Sequence, residues 1–474
     1  MAKPSFIPFR LLFSTHIALL LLRALGALAV PMELRVGFKA SPSGFTSSST
    51  FSPVLDEASR NFSMGFLLVD KEKLTVAVVH LPSLQLLWQP TTNKGSPLYW
   101  SHKAELLFNG SIVVTDSETK MAWSTHTEGD RVIILNSSNV VVESHGMAVW
   151  ESFHFPGSTL VGSQKFTSDM ALVSSNGLYS MRLGENYMAM YAWFDPVKEQ
   201  IYWKHDALQA KANIVSGHGS IYATIRPEGS FDMYQNGTRQ PVDIQPLNSF
   251  NRQVTELRII RMEADGNMKA YIWDGGDWVS DYEAISSICE LPSACGNYGL
   301  CHPTSGSGTC SCLENRTKLV AGQCIGEVSS SDFCGGKKFR VLRIKGVELP
   351  FKELMRYEKV SSAEACENVC QSNCTCWASV YNNATGFCYL VDYPTQTVLS
   401  SGDQTKVGYF KVEHDNGKKT KTGLGIGLGI LCFAVLALAG AIAYAAKKIM
   451  GRKSTMRTLG GELEAFPDHP KSEA

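Results

Sequence analysis

From Pro31 to about Cys289 the apolar residues come in short runs separated by polar turns. Ser111-Ile-Val-Val-Thr115, Arg131-Val-Ile-Ile-Leu135 and Asn139-Val-Val-Val-Glu143 are typical. β-Branched and aromatic residues fill such runs, and Gly, Asn and Ser interrupt them, which is the pattern of strands joined by tight turns. No long segment here repeats its apolar residues at the spacing of a helix face. A weak internal repeat is also visible: Leu86-Leu-Trp88, Met121-Ala-Trp123 and Ala148-Val-Trp150 each end a strand-like run in tryptophan. Three such units predict a threefold β-prism with the indoles near its axis. The stretch from Arg261 through Asp265-Gly-Asn267 to Trp273 has the same order of strand, glycine turn, strand and tryptophan. The pattern therefore predicts two similar β units in series, with a boundary near residues 165–175.

Two apolar runs differ from the rest. Leu11 to Leu22 follows Lys3 and Arg10 and leads to Ala27-Leu28-Ala29, the form of a secretory signal cut after Ala29. A run of about a dozen residues is too short to cross roughly 30 Å of hydrocarbon. Gly423 to Ala446 carries no charge and is long enough to cross as a helix. Lys447, Lys448, Arg452, Lys453 and Arg457 follow it. With the signal translocating the N-terminal side, the expected protein is a single-pass type I protein of the plasma membrane with a short cytosolic tail. Gly425-x3-Gly429 would allow a second helix to approach closely, so a homo- or hetero-dimer is expected there.

Composition narrows the function. Lysine plus arginine and aspartate plus glutamate both number 44, so no basic field points to nucleic acid. Of 13 cysteines, all but Cys432 lie between Cys289 and Cys388. In a translocated chain such density means disulfides. Cys310-Ser-Cys312 lacks the residue gap of a zinc site, and Ala284 to Ile288 lacks the acidic residues a calcium-binding module would place there, so no metal is expected. Seven glycosylation sequons, at Asn61, Asn109, Asn136, Asn236, Asn315, Asn373 and Asn383, predict a sugar-coated surface. No catalytic motif, nucleotide loop or kinase signature occurs, so neither enzymatic activity nor a cofactor is expected.

Several segments carry a specific resemblance. Trp150-Glu-Ser-Phe-His-Phe-Pro-Gly-Ser-Thr-Leu160 resembles the signature that closes the bulb-type lectin domain of the plant G-type lectin (S-domain) receptors. Asp265-Gly-Asn267 with Tyr271-x-Trp273 resembles their S-locus glycoprotein domain. Cys289-x5-Cys295-Gly-Asn-Tyr-Gly-x-Cys301 resembles their EGF-like module, and Cys366-x3-Cys370-x3-Cys374-x-Cys376 their PAN (apple-like) module. The order also matches, and the cytosolic kinase of many members is absent from the sequence. The resemblance implies a mainly β chain. It would comprise a signal peptide (1–29), a bulb-type lectin-like domain (30–168), an S-locus glycoprotein-like second lectin domain (169–284) and an EGF-like module (285–326). A small α+β PAN domain (327–414), one transmembrane helix (423–446) and a tail (447–474) would follow. It further implies the pairs Cys289–Cys301, Cys295–Cys310 and Cys312–Cys324 in the first module, and Cys366–Cys388, Cys370–Cys376 and Cys334–Cys374 in the second. Within the PAN region, Ser361-Ser-Ala-Glu364 reads as a capping box. Cys366 and Cys370 then share a helix face, and Cys374 and Cys376 share one face of a strand.

Bulb lectins of this kind hold mannose with Gln-x-Asp-x-Asn-x-Val-x-Tyr on one strand, where alternate side chains share a face. The first matching segment reads Leu107, Asn109, Ser111, Val113, Thr115; the second reads Leu135, Ser137, Asn139, Val141, Glu143. Both keep the valine, the second keeps the asparagine, and both lose the glutamine and tyrosine. Glu263, Asp265, Asn267, Lys269 and Tyr271 form a third, with lysine at the valine position. A polar pocket stripped of partners loses much of its affinity. The expected function is therefore cell-surface recognition of an extracellular protein, peptide or glycan, as a co-receptor of a membrane kinase or as a decoy. A carbohydrate-binding adhesion lectin is the alternative.

Overall fold

The computed structural model describes residues 30–413, apart from 47–48, 196–197, 208–218, 253–256, 305–306, 315–316, 326–332 and 337. The expected signal peptide, membrane helix and tail lie outside the described residues, as do Asn315 and Cys432. Among the described residues, no helix is long and apolar enough to cross a membrane.

The first unit is built from three four-stranded antiparallel sheets. One runs Phe51–Asp56, Phe62–Leu68, Leu74–His80 and Gln85–Trp88. The second joins Phe38–Ala40 to Ala104–Phe108, Ile112–Asp116 and Ala122–Ser124, and the third joins Leu34–Arg35 to Arg131–Ile134, Val140–Ser144 and Met147–Glu151. Alternation along each strand sends Leu106, Phe108, Ile112, Val114, Val132 and Ile134 into one core. Each such side chain contributes about 1.5–3 kcal/mol on burial. The last strand of each sheet carries one of the repeated tryptophans. Trp88, Trp123 and Trp150 meet with ring centroids 5.7 to 6.3 Å apart, tilted or edge-on as their quadrupoles favour.

A second unit repeats the plan. Its sheets are Leu172–Val173 through Lys198–Asp206 (four strands), Ile221–Arg226 through Asp243–Pro246 (three strands), and one formed by Thr159–Val161, Arg258–Met262, Met268–Trp273 and Trp278–Glu283. Thr159–Val161 lies on the N-terminal side of the expected boundary at 168/169, yet it pairs with Arg258–Met262. The reason is that this sheet is a shared wall. Val161 and Ile259 point into the first core, and Leu160 and Ile260 into the second. The lectin-like signature thus ends as the first strand of the next unit.

His80 fastens the two units at the same wall. Its ring lies 5.0 Å from Trp273 and 5.8 Å from Trp278 by centroids. Its Nδ1 meets Ser83 Oγ at 2.9 Å, and the Trp278 indole N–H donates to the same hydroxyl at 2.9 Å. Burial among Phe62 and these indoles pushes the imidazole below its usual 6.5, so the folded protein holds it neutral. A depressed folded value means that stability is fully present above 6.5 and is lost as pH falls through the folded value. The melting temperature should therefore fall between about pH 7 and about pH 5, and His80→Phe should flatten that part of the profile. Differential scanning fluorimetry across the range checks it; an unchanged slope in the variant counts against the role.

The cysteine-rich half packs as one piece. The hairpin of Gly299–Thr304 and Ser307–Cys312 is extended by Val398–Ser400, which runs parallel to Gly299–Thr304, and then by Val347–Glu348. The sheet therefore crosses the expected EGF-like/PAN boundary at 326/327. Tyr298 reinforces this by donating its hydroxyl to the Lys411 carbonyl at 2.7 Å. Beyond lies a five-stranded sheet of Phe339–Lys345, Lys406–Glu413, Ala378–Asn382, Phe387–Val391 and Tyr357–Lys359. Val380, Phe410 and Val412 on one face join Tyr298 in a core; Tyr381 and Tyr409 on the other receive helix α1, Ala363–Ser372.

Two local expectations need correction. The helix N-cap is Ser362, whose side chain accepts the Ala365 N–H at 3.1 Å, so the cap sits one residue later than a Ser361–Glu364 box would have it. Cys374 and Cys376 lie in the turns after the helix instead of on a strand, because the chain must reverse there to reach Ala378–Asn382. That reversal is held by Lys411. Its side chain is fully buried and donates to the Cys370 and Asn373 carbonyls at 2.9 and 2.8 Å, capping the end of the helix. Phe339 lies 4.8 Å from the ammonium, and burial lowers the lysine's pKa.

Candidate functional site

The sugar-motif positions fall on hairpins and do not share a single strand. In the first, Leu107 lies on Ala104–Phe108, Asn109 and Ser111 form the turn, and Val113 and Thr115 lie on the returning strand. Asn109-Gly110 drives the reversal, with Gly110 at φ +108°, where side chains are strained. Leu107 and Val113 are cross-strand partners, so one face still carries Leu107, Val113 and Thr115. In the second, Leu135, Ser137 and Asn139 belong to the turn region and Val141 and Glu143 to the strand.

Three of the polar side chains at these positions, Ser111, Asn139 and Glu143, are engaged within the protein. The buried Asn139 donates its amide N–H to Glu151 at 2.7 Å. Its amide oxygen accepts the Ser152 hydroxyl at 3.0 Å and the Phe153 N–H at 3.1 Å. Ser152 in turn accepts the Val140 N–H at 2.9 Å. Glu143, at the tyrosine position, is ion-paired with Arg131 at 2.6 Å, and Val141 is buried. In the first hairpin the Ser111 hydroxyl donates to the Thr127 carbonyl at 2.6 Å and accepts the Thr127 N–H at 2.7 Å. Asn109 is exposed, and among the described residues its carbonyl oxygen accepts only the local Ser111 N–H at 3.2 Å.

A recurrence explains the Trp-x-Ser part of the signature. The residue two after the tryptophan supplies a hydroxyl that accepts the first N–H of a neighbouring strand. Thr125 does this for Ile112 at 3.0 Å, as Ser152 does for Val140. Thr125 lies outside every matched motif, and Glu151 and Ser152 lie within the signature, which by itself assigns them no role. The recurrence of a hydroxyl two places after Trp123 and Trp150 is the sequence feature that points to Thr125 and Ser152.

The third constellation, in the second unit, is also closed. Tyr271 donates to Glu263 at 2.7 Å, as does Arg261 at 2.7 Å. Burial, then the hydrogen bond to Glu263, pushes the Tyr271 phenol up to about 12. The buried Asn267 exchanges two hydrogen bonds with the Ile285 backbone at 2.8 and 3.0 Å. Lys269 is paired with Glu283 at 3.0 Å.

Six disulfides join Cys289–Cys301, Cys295–Cys310, Cys312–Cys324, Cys334–Cys374, Cys366–Cys388 and Cys370–Cys376. These are the pairs named above, and no bridge crosses from one set to the other. The sulfurs of Cys295, Cys301 and Cys310 lie within 4.8 Å of one another, but all three are committed to disulfides. Of the sequon asparagines, 61, 109, 136, 236 and 383 are exposed and 373 is half-buried.

Residues 218–317 match the S-locus glycoprotein domain, and residues 336–412 match the PAN domain. A PAN domain-containing protein of Arabidopsis thaliana is 48% identical over 419 residues, covering 87% of this chain and 84% of that protein. A G-type lectin S-receptor-like serine/threonine-protein kinase of the same plant is 26% identical over 75% of this chain, but only 40% of the kinase is covered. EP1-like glycoprotein 4 of A. thaliana is 23% identical over 76% of this chain and 86% of that protein. The chain belongs to the plant G-type lectin S-domain receptor family and carries its S-locus glycoprotein and PAN domains.

Proposed function

We propose that this family member is a recognition glycoprotein of the plasma membrane. It would be a single-pass type I protein, with the β units and cysteine-rich modules outside the cell, and would bind a protein or peptide ligand as the co-receptor of a membrane kinase. The observation that carries this reading is the use of Asn139 as an internal brace. The one motif asparagine retained in the first unit has both ends of its amide satisfied by Glu151, Ser152 and Phe153. A sugar hydroxyl would have to displace those bonds and leave buried groups unpaired. Asn109 adds a steric term. Its exposed amide sits in a sequon at the tip of the first hairpin, and an N-glycan there would stand over the face carrying Leu107, Val113 and Thr115.

The test has two arms. A glycan array probed with the secreted ectodomain, and with its Asn109→Gln form, is expected to show no selective binding by the native protein. Cross-linking on intact plant cells is expected to recover a membrane kinase. Selective glycan binding together with no kinase would overturn the proposal in favour of an adhesion lectin.

A further inference from the structure

A cavity of about 220 Å³ opens in the PAN domain between helix α1 and the five-stranded sheet. Its floor is the sheet face that carries Ser379, Tyr381 and Tyr409, with Ser379 and Tyr409 directly paired in register on neighbouring strands. Its wall is the first turns of the helix, with Glu364 and Glu367, and Arg343 closes one side.

Three observations describe what would fit. First, the Ser379 and Tyr409 hydroxyls are unpartnered among the described residues, although their side chains are only 1% and 3% exposed. Two buried hydroxyls without partners are costly, about 1–3 kcal/mol each, and they line an open cavity. Second, the charge is unbalanced. Arg343 is held in a two-pronged pair with Glu367, its Nε donating at 2.8 Å. Glu364 stands exposed at the rim, so the cavity keeps one negative charge over. Third, Tyr381 and Tyr409 supply aromatic surface, which attracts cations. The volume is below the roughly 300 Å³ at which pockets for whole small molecules begin. It suits a single side chain anchored by a larger partner.

We infer that this cavity receives a basic side chain, lysine or arginine, presented by a peptide or protein ligand. The cationic head donates to the Ser379 and Tyr409 hydroxyls and meets the free Glu364 carboxylate. Its aliphatic stem lies on the tyrosine rings. The inference rests on the function proposed above only in taking the ligand to be a polypeptide; the site itself is separate from the sugar-motif hairpins.

The experiment titrates the secreted ectodomain with Nα-acetyl-lysinamide, followed by saturation-transfer NMR, with Nα-acetyl-norleucinamide and mannose as controls. Binding by the lysine compound and not by the controls is expected. Glu364→Gln, at an exposed position, should weaken it about tenfold, as loss of a charged hydrogen-bonding partner does. Ser379→Ala should weaken it too, yet leave the melting temperature unchanged or raise it, because the hydroxyl it removes has no partner to lose. No binding of the lysine compound, equal binding of norleucinamide, or affinities untouched by both substitutions would each overturn the site. If instead a kinase is still recovered by cross-linking while lysine fails to bind, this cavity is excluded and the broader function stands.

Discussion

Replacing Asn139 by alanine is expected to lower the unfolding free energy by about 3 kcal/mol, the summed effect of several lost hydrogen bonds around a buried group. The side chain is 4% exposed and bonds to Glu151, Ser152 and the Phe153 backbone. Truncation frees the Phe153 N–H and one side of the Ser152 hydroxyl in a place that water does not reach. It also loosens the junction between the second hairpin and the Trp150 strand, and so the indole cluster. Asn139→Asp should be less severe: the carboxylate can still accept from Ser152 and Phe153 but faces Glu151 with like charge. Urea unfolding monitored by tryptophan fluorescence measures this directly. An alanine variant as stable as the parent would mean that the asparagine is free for another role.

Cys370→Ser is expected to be at least as damaging. Cys370 is fully buried on α1 and bonded to Cys376 across the reversal that Lys411 also holds. Removing a native disulfide from a small domain costs about 2–5 kcal/mol. The loss here would act on a module whose helix packs largely through cysteines and a few tyrosines and valines. Its freed partner, Cys376, would also be open to exchange with the other bridges. Expressed in plant cells, the variant should remain in the secretory pathway with immature glycans, and the purified fraction should show mixed disulfides by non-reducing peptide mapping. Normal delivery to the cell surface would contradict the structural weight given to this bridge.

Features that depend on bulk or on covalent chemistry were readable from the sequence. Three tryptophans at the ends of three β runs predict a common axis, because nothing else in a small sheet unit accommodates three indoles at once. Twelve cysteines clustered between Cys289 and Cys388 mark the two stapled modules for a similar reason. What could not be read depends on partners far along the chain. Asn139 looks like a remnant of a sugar site until Ser152 and Phe153, more than a dozen residues on, are seen to enclose it. His80 gives no hint of Trp273 and Trp278, nearly two hundred residues away. Lys411 is a charged residue in an alternating strand, and the alternation alone does not say which face holds a helix end that needs a cation. That Thr159–Val161 pairs with Arg258–Met262 was not legible either, because a strand buried on both faces carries no polar side to mark where one core stops.

The most direct measurement is a calorimetric titration of the purified ectodomain with mannose and mannobiose. With Asn139 and Ser111 bonded inside the protein and the glutamine and tyrosine positions lost, no saturable heat is expected up to high millimolar sugar. Saturable binding in the millimolar range or tighter would contradict the account, since it would require a sugar site that these closed hydrogen bonds do not leave open.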